Sequence, residues 1–128
     1  MNRKNVSSGS PFEKSIGFSR AVRVGNIIAV AGTAPVAADD LTAFPGDVYG
    51  QTKRCLEIIQ TAIEAADGRI EDVVRTRIMM TDISQWEEAA KAHGEMFEEI
   101  RPACTFVEVS RFIKEDWLVE LEADCVTS

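Results

Sequence analysis

The segment Leu118–Cys125, near the end of the chain, alternates between apolar and acidic residues. Every second position belongs to the same set: Val119, Leu121 and Ala123 on one side, Glu120, Glu122 and Asp124 on the other. Successive side chains of a β-strand point to opposite faces of its sheet, so this pattern predicts a strand with one buried and one polar face. We expect helices to cover the buried face.

Four further strands are predicted, and they span Phe18–Val24, Ile27–Gly32, Val73–Met80 and Thr105–Val109. The first two flank Gly25 and Asn26, which tolerate the positive φ of a tight turn, so they are expected to form a β-hairpin. The apolar run of the second strand is nearly continuous, which is typical of a strand covered on both faces.

The first of two predicted helices follows a loop rich in Pro, Ala and Asp. Apolar residues recur there at steps of three and four from Val48, which places them on one helical stripe. Asp47 can cap the free N–H groups at the start, and Asp67 with Gly68 ends the helix.

The second predicted helix carries an apolar stripe from Trp86 to Ile100. Ser84 and Glu87 have the spacing of a capping box, in which each side chain accepts a hydrogen bond from a backbone N–H at the helix start. Pro102 closes this helix because proline cannot continue the backbone hydrogen bonding.

The resulting order, ββαβαββ, predicts an α+β domain over residues 15–128, with two helices on one face of a single sheet. Residues 1–14 are polar and are expected to form a flexible N-terminal segment. The open face of the sheet is predicted to carry Arg75, Arg77, Cys104, Phe106, Glu108, Glu120 and Glu122. Such a mixed apolar and charged face on a small domain predicts self-association.

Composition narrows the class of protein. The 128 residues carry a formal net charge of -7, which disfavours binding to nucleic acid or to an anionic membrane. No apolar run is long enough to span a bilayer and no secretory signal is visible, so we expect a cytoplasmic protein. Three scattered cysteines fit a reducing compartment, and a single histidine excludes a His-rich metal site.

Four stretches of the chain resemble the RidA/YjgF family of reactive-intermediate deaminases. They read VGNIIAVAGTAPV, GQTKRCLEIIQTAIEAADG, DVVRTRIMMTDI and RPACTFVEVSRFIKEDWLVELEADCV. The resemblance extends from about Ile16 to Val126, and its most specific parts are the paired C-terminal motifs P-A-x-T-x-V-E-V and V-E-L-E-A.

The resemblance implies a chorismate-mutase-like fold, a homotrimer and a small-molecule ligand held in a cleft between subunits. It also implies hydrolysis of enamines and imines without metal or cofactor, by water that a glutamate positions. That glutamate corresponds to Glu120. It further implies that an arginine, in the pattern P-A-R-[ST], binds the substrate carboxylate through two parallel hydrogen bonds.

The chain departs from this pattern at three positions. Cys104 stands where the family has the arginine, Ala31 where a serine often precedes Gly32, and Phe18 where a tyrosine is common. The resemblance therefore implies a substrate that is less polar than usual. The residues expected to contact it are Phe18, Ala31, Gly32, Trp86 and Phe106.

Cys104 and Glu120 are the candidate catalytic residues, and each has a structural alternative. Cys104 is either a nucleophile or a small filler where the arginine was lost, and no residue next to it in sequence favours the thiolate. Glu120 is either the residue that activates water or a carboxylate paired with Arg75 or Arg77.

Three other residues have structural alternatives as well. His93 lies on the apolar stripe of the second helix, so we interpret it as a core or interface residue. Arg20 and Arg23 on the first strand are cations that could replace the missing guanidinium, although most surface arginines are solvated.

Two functions from different classes follow. The chain is either a hydrolase of the imine-deaminase type or a small-molecule-binding trimer that has lost the chemistry. An endoribonuclease or translation-inhibitor function is the third and weakest reading, because the chain is acidic and has no basic stripe.

Overall fold

The structure is a computed structural model, and it describes residues 2–128. The strands are β1 (Arg3–Val6), β2 (Ala21–Val24), β3 (Ile27–Thr33), β4 (Val73–Met80), β5 (Ala103–Glu108) and β6 (Val119–Val126). The helices are α1 (Phe12–Ile16), α2 (Val48–Ala65) and α3 (Trp86–Phe97), with 3-10 turns at Ile70–Asp72 and Ile83–Gln85. The strands form one mixed sheet in the order β1-β2-β3-β6-β4-β5.

The predicted α+β class is confirmed. Neighbouring strands pair antiparallel except β4 and β5, which run parallel because α3 carries the chain back across the sheet. The hairpin turns at Gly25, whose φ is +60°, and Asp47 caps α2 by accepting a hydrogen bond from the Gly50 N–H at 3.0 Å. No helix within residues 2–128 is long and apolar enough to cross a membrane.

The core lies between the sheet and helices α2 and α3. Most of its members come from β3, β4 and β6 and from the inner stripe of α2, with Ala89 and Phe97 from α3. They include Ile28, Val30, Leu56, Ile59, Ile63, Ile78, Met80, Val119 and Leu121. In β6 the residues Val119, Leu121, Ala123 and Cys125 are buried while their neighbours are not. The alternation that opened the sequence analysis therefore separates a helix-covered face from an open face.

The beginning of the chain differs from the predicted element order. A strand and a short helix precede β2, and Arg3–Val6 pairs with Ala21–Val24 along its whole length. In β1 only Val6 is buried. A strand at the sheet edge with one buried residue has no alternation, which is why the sequence did not predict it.

The start of α3 also differs from the prediction. Ser84 does not form a capping box with Glu87, because a 3-10 turn precedes the helix. Asp82 caps that turn instead, accepting hydrogen bonds from the Ser84 backbone N–H at 3.0 Å and from its hydroxyl at 2.6 Å.

The predicted facing of β5 is wrong. In the parallel pair, Thr76 lies opposite Cys104, Ile78 opposite Phe106 and Met80 opposite Glu108. Residues paired in this way point to the same side, and these three residues of β4 are buried under the helices. Cys104, Phe106 and Glu108 therefore point to the helix-covered side, while the placement of Arg75, Arg77, Glu120 and Glu122 on the open face is confirmed.

Candidate functional site

A bulge in β3 places a glycine against the candidate catalytic carboxylate. Val30 pairs with Ala123 and Thr33 with Leu121, so two residues of β3 lie opposite one residue of β6. At this bulge, a Cβ added to Gly32 would come within 3.3 Å of the Oε1 of Glu120. The absence of a side chain at position 32 thus leaves room for the carboxylate on the open face.

Arg20 reaches the same glycine from the other side. Ala21 is buried under the helices, so the preceding residue points to the open face. The Nη2 of Arg20 donates a hydrogen bond to the Gly32 carbonyl at 2.9 Å. Its guanidinium carbon lies 5.7 Å from the centre of the Phe18 ring, which is cation–π distance. We call these four residues, Phe18, Arg20, Gly32 and Glu120, the Glu120 cluster.

Burial governs the electrostatics of the Glu120 cluster. It raises the pKa of the Glu120 carboxyl; the positive charge of Arg20 opposes this shift and the negative charge of Glu122 adds to it. Burial lowers the pKa of the Arg20 guanidinium, against the charges of Glu13 and Glu120. An arginine pKa starts so high that the group stays cationic at neutral pH. The cluster therefore holds a lasting cation beside a carboxyl that takes up a proton more readily than usual.

Glu120 does not form the ion pair with Arg75 or Arg77 that a purely structural role would require. Arg77 pairs with Glu122, and the structure records no hydrogen bond or ion pair to Glu120 within residues 2–128. Arg75 is exposed on the same face. The carboxylate of Glu120 thus remains available to a ligand.

A groove of about 520 Å³ adjoins this cluster. The open-face residues of β1 to β3 form its floor, the segment around α1 forms its wall, and its lining includes Arg3, Asn5, Glu13, Lys14, Phe18, Val22 and Ala31. Two of the predicted contact residues, Phe18 and Ala31, thus lie in one groove. The four N-terminal lining residues were assigned to the polar tail by the sequence, which carries no periodic signal there.

The other predicted site residues, Trp86, Cys104 and Phe106, form a second group, which we call the β5 edge. Cys104 is exposed, and the Trp86 and Phe106 rings meet edge to face at 6.1 Å. This group lies on the helix-covered side, and β4 separates β5 from β6. Within one chain, Cys104 and Glu120 are therefore not brought together.

His93 occupies the structural position that the sequence indicated. Its Nε2 lies 2.8 Å from the Thr76 hydroxyl, its ring packs on Phe97 at 4.6 Å, and burial lowers its pKa. Nothing in these contacts connects it to the Glu120 cluster.

Arg23 is the second cation considered as a replacement for the family guanidinium. All three of its side-chain nitrogens form hydrogen bonds to residues outside the Glu120 cluster. Its Nη1 donates to the carbonyls of Ala66 and Asp67 at 3.0 and 3.1 Å, its Nη2 to Thr127 and its Nε to Gly25. It ties the end of α2 to the sheet. No group of three or more metal-binding side chains occurs among the residues that the structure describes.

The comparisons with known proteins agree with this architecture. The family model described as Endoribonuclease L-PSP matches residues 10–127. The chain is 39% identical over 111 residues to the RutC family protein PYRAB12510 of Pyrococcus abyssi, a match that covers 86% of this chain and 87% of the relative.

Two solved structures share the fold. Rv2704 from Mycobacterium tuberculosis, a member of the YjgF/YER057c/UK114 family, has 44% identity and a TM-score of 0.88, over 98% of this chain and 100% of that chain. Escherichia coli TdcF, solved with bound serine, has 23% identity and a TM-score of 0.80, over 97% of this chain and 94% of that chain, and shows the fold alone. On the family model and these identities, the chain belongs to the YjgF/RidA family, which also carries the names RutC and Endoribonuclease L-PSP.

Proposed function

We propose that this protein hydrolyses enamines and imines of small molecules, and that its site forms between subunits of a homotrimer. The proposal rests on the setting of Glu120. This half-buried carboxylate has no partner within residues 2–128, and it is held against Gly32 beside a groove. Burial raises the pKa of this carboxyl toward the range in which a carboxylate serves as a general base.

The chemistry requires one proton acceptor and no cofactor. Glu120 removes a proton from water as the oxygen attacks the imine carbon, and passes it to the nitrogen to give a carbinolamine. Glu120 then removes the hydroxyl proton and passes it to the nitrogen as the C–N bond breaks, so that ammonia leaves and a carbonyl group remains. Imine plus water thus gives carbonyl compound plus ammonia, with no change of oxidation state.

The proposed trimer explains why the site residues lie in two places. The Glu120 cluster and the β5 edge are on opposite sides of the sheet in one chain, so a single subunit cannot close a pocket with both. A neighbouring subunit that lays its β5 edge against the groove would do so. Sedimentation equilibrium at micromolar concentration should give three times the 14.1 kDa chain mass; a monomer mass would contradict the proposal.

Cys104 enters the proposed cleft from that neighbour, and its two roles can be separated. If the thiol is a filler, Cys104→Ser and Cys104→Ala will both keep the activity within about threefold. If it is a nucleophile, both variants will lose activity, because neither an alcohol without a base nor a methyl group replaces a thiolate.

A trapping assay tests the activity itself. An amino-acid oxidase generates imines, semicarbazide traps them, and a hydrolase lowers the yield of semicarbazone by competing for the imine. We expect the protein to lower semicarbazone formation in proportion to its concentration. Unchanged trapping across several amino acids would instead favour a binding protein without turnover, which is the second candidate; TdcF, which shares the fold, was solved with bound serine.

A further inference from the structure

Side chains hold the β3 bulge at the point where its pairing with β6 is interrupted. Ala31 and Gly32 lie between the paired residues Val30 and Thr33. The Thr33 hydroxyl donates a hydrogen bond to the Ala31 carbonyl at 2.8 Å, and the Nη2 of Arg20 donates one to the Gly32 carbonyl at 2.9 Å. Each carbonyl of the bulge thus has a side-chain donor, and the donor to Gly32 comes from outside the strand.

Arg20 is itself fixed on several sides. Its backbone N–H donates to the Val6 carbonyl at 2.8 Å, and its backbone carbonyl accepts from the Ala31 N–H at 3.0 Å. Its guanidinium carbon lies 5.7 Å from the centre of the Phe18 ring, and its Nε is buried. The side chain does not line the groove. Its contacts are therefore with the protein rather than with a ligand in that groove.

The charge of Arg20 acts on the carboxyl that lies against the same glycine. Burial and the negative charge of Glu122 raise the pKa of Glu120, and the positive charge of Arg20 opposes them. Burial and the charge of Glu120 raise the pKa of the Cys55 thiol of α2, which stays neutral. The carboxylate of Glu13, from α1, helps to keep Arg20 charged. Without Arg20, the surroundings of Glu120 would favour its protonated form.

We propose that Arg20 is a positioning residue for the proposed general base: its guanidinium fixes the β3 bulge against Glu120 and keeps the Glu120 carboxylate ionised. This inference rests on the proposed function and adds one residue to the same site. A carboxylate must be ionised to accept a proton from water. Arg20 touches neither water nor substrate in this role, and it acts through Gly32 and Glu120. Its burial thus assigns it to the base, rather than to the substrate charge that the family guanidinium would bind.

The test uses two substitutions of Arg20 and one control. Arg20→Gln removes the charge and keeps an N–H donor, whereas Arg20→Lys keeps the charge. Arg69→Gln removes one positive charge from a side chain that is 69% exposed, just before the 3-10 turn at Ile70–Asp72. Each protein is measured below the onset of its thermal unfolding and must show the sedimentation of the wild type.

NMR titration of the ¹³C-labelled carboxyl groups measures the ionisation of Glu120 without any substrate. The Glu120 signal is the one that Glu120→Gln removes. We expect the pKa of Glu120 to be higher in Arg20→Gln than in the wild type, and to stay close to the wild-type value in Arg20→Lys and Arg69→Gln. Identical titration of Glu120 in the wild type and Arg20→Gln would overturn the inference, whether or not the protein hydrolyses imines.

Kinetics separate this role from substrate binding. In the trapping assay, the acid limb of kcat/KM should move to higher pH in Arg20→Gln, so its loss of activity is largest at low pH and shrinks as the pH rises. KM should stay within about twofold of the wild-type value, because Arg20 does not touch the substrate. A loss of equal size at every pH, or a fall in kcat/KM that comes from KM alone, would overturn the inference and leave the proposed function standing.

The wild-type protein supplies a check that needs no substitution of Arg20. Coupling between two groups is reciprocal, so the ¹⁵Nε signal of Arg20 should move with pH at the same midpoint as the Glu120 carboxyl signal. This measurement decides the inference even if both Arg20 variants fail to fold. An Arg20 signal that does not respond while Glu120 titrates would overturn it.

Discussion

The two faces of the sheet differ in whether their polar groups have hydrogen-bond partners. On the helix-covered face, Thr76 meets His93 at 2.8 Å, and the buried Gln51 accepts from the Leu118 N–H and donates to the Asp116 carbonyl. On the open face, the Nε of Arg20 is buried without a partner, and Glu120 has none within residues 2–128.

The difference indicates on which face folding of one chain is enough to pair the polar groups. Folding gives these polar groups under α2 and α3 a partner, as is usual for a protein interior. The exception is the buried Nε1 of Trp117, just before β6, which has no partner within residues 2–128. The open face keeps a cation, a carboxylate with a raised pKa and a groove, all of which a ligand or a second subunit would satisfy. The predictions below ask whether a change on one face affects activity and a change on the other affects stability alone.

The largest effect is expected from Glu120→Gln. The amide keeps the size of the side chain but cannot accept a proton from water, and general-base catalysis contributes about 10²–10⁴-fold. Imine hydrolysis in the trapping assay should fall by about 100-fold or more, with thermal unfolding at the assay pH no lower than that of the wild type. Glu122→Gln is the matched control, and an equal loss there would show that charge on this face, rather than a base at position 120, supports the activity.

On the helix-covered face, Thr76→Val should cost stability and leave catalysis intact. The change keeps the shape but removes the hydrogen bond to the half-buried His93 ring, which costs about 0.5–1.5 kcal/mol. Urea unfolding measures the loss, and kcat/KM of the folded protein is expected to stay within about twofold. A large fall in kcat/KM would contradict the separation of the two faces.

The two faces should also respond to pH with opposite signs. Burial raises the pKa of Glu120 above 4.5, so the stability linked to this group is full below that value and is lost as the pH rises through the folded pKa. Burial lowers the pKa of His93 below 6.5, so its contribution is lost as the pH falls from 6.5 through the folded pKa.

Stability measured against pH for wild type, Glu120→Gln and His93→Phe separates these contributions. Glu120→Gln should gain on the wild type as the pH rises above 4.5, and His93→Phe should gain as it falls below 6.5. Parallel curves for all three proteins would refute the pKa shifts.

The smallest effect is expected from Arg77→Gln. The ion pair with Glu122 is about two-fifths exposed on both sides, and exposed pairs contribute about 0–1 kcal/mol. Urea unfolding should therefore change by less than about 1 kcal/mol. A sedimentation profile that shifts toward smaller species would place this pair in the proposed subunit interface.

Much of the fold could be predicted because its signals are local. The bounds of β4, the turn at Gly25 and the cap at Asp47 all follow from patterns within a few residues. The facing of β5 could not, because alternation defines two sets of residues but not which set faces the helices. The parallel register with β4 decides that, and it depends on residues far away in the sequence.

The site was predictable only in part, because it too depends on contacts between residues far apart in the sequence. Phe18, Ala31, Gly32 and Glu120 were named from sequence, and the structure gathers them around one bulge and its groove. The sequence treated Arg20 and Arg23 alike because both lie beside apolar residues. Only the fold shows that one holds the end of α2 while the other keeps unused donors beside Gly32.

A crystal structure of the full-length protein grown with pyruvate would test the central claim most directly, since pyruvate is the product of the simplest imino-acid substrate. We predict one pyruvate per subunit in front of Gly32, with its carbonyl carbon facing Glu120. Pyruvate bound at Cys104 out of reach of Glu120, or an open face packed shut by a neighbouring subunit with no room for a ligand, would contradict the account.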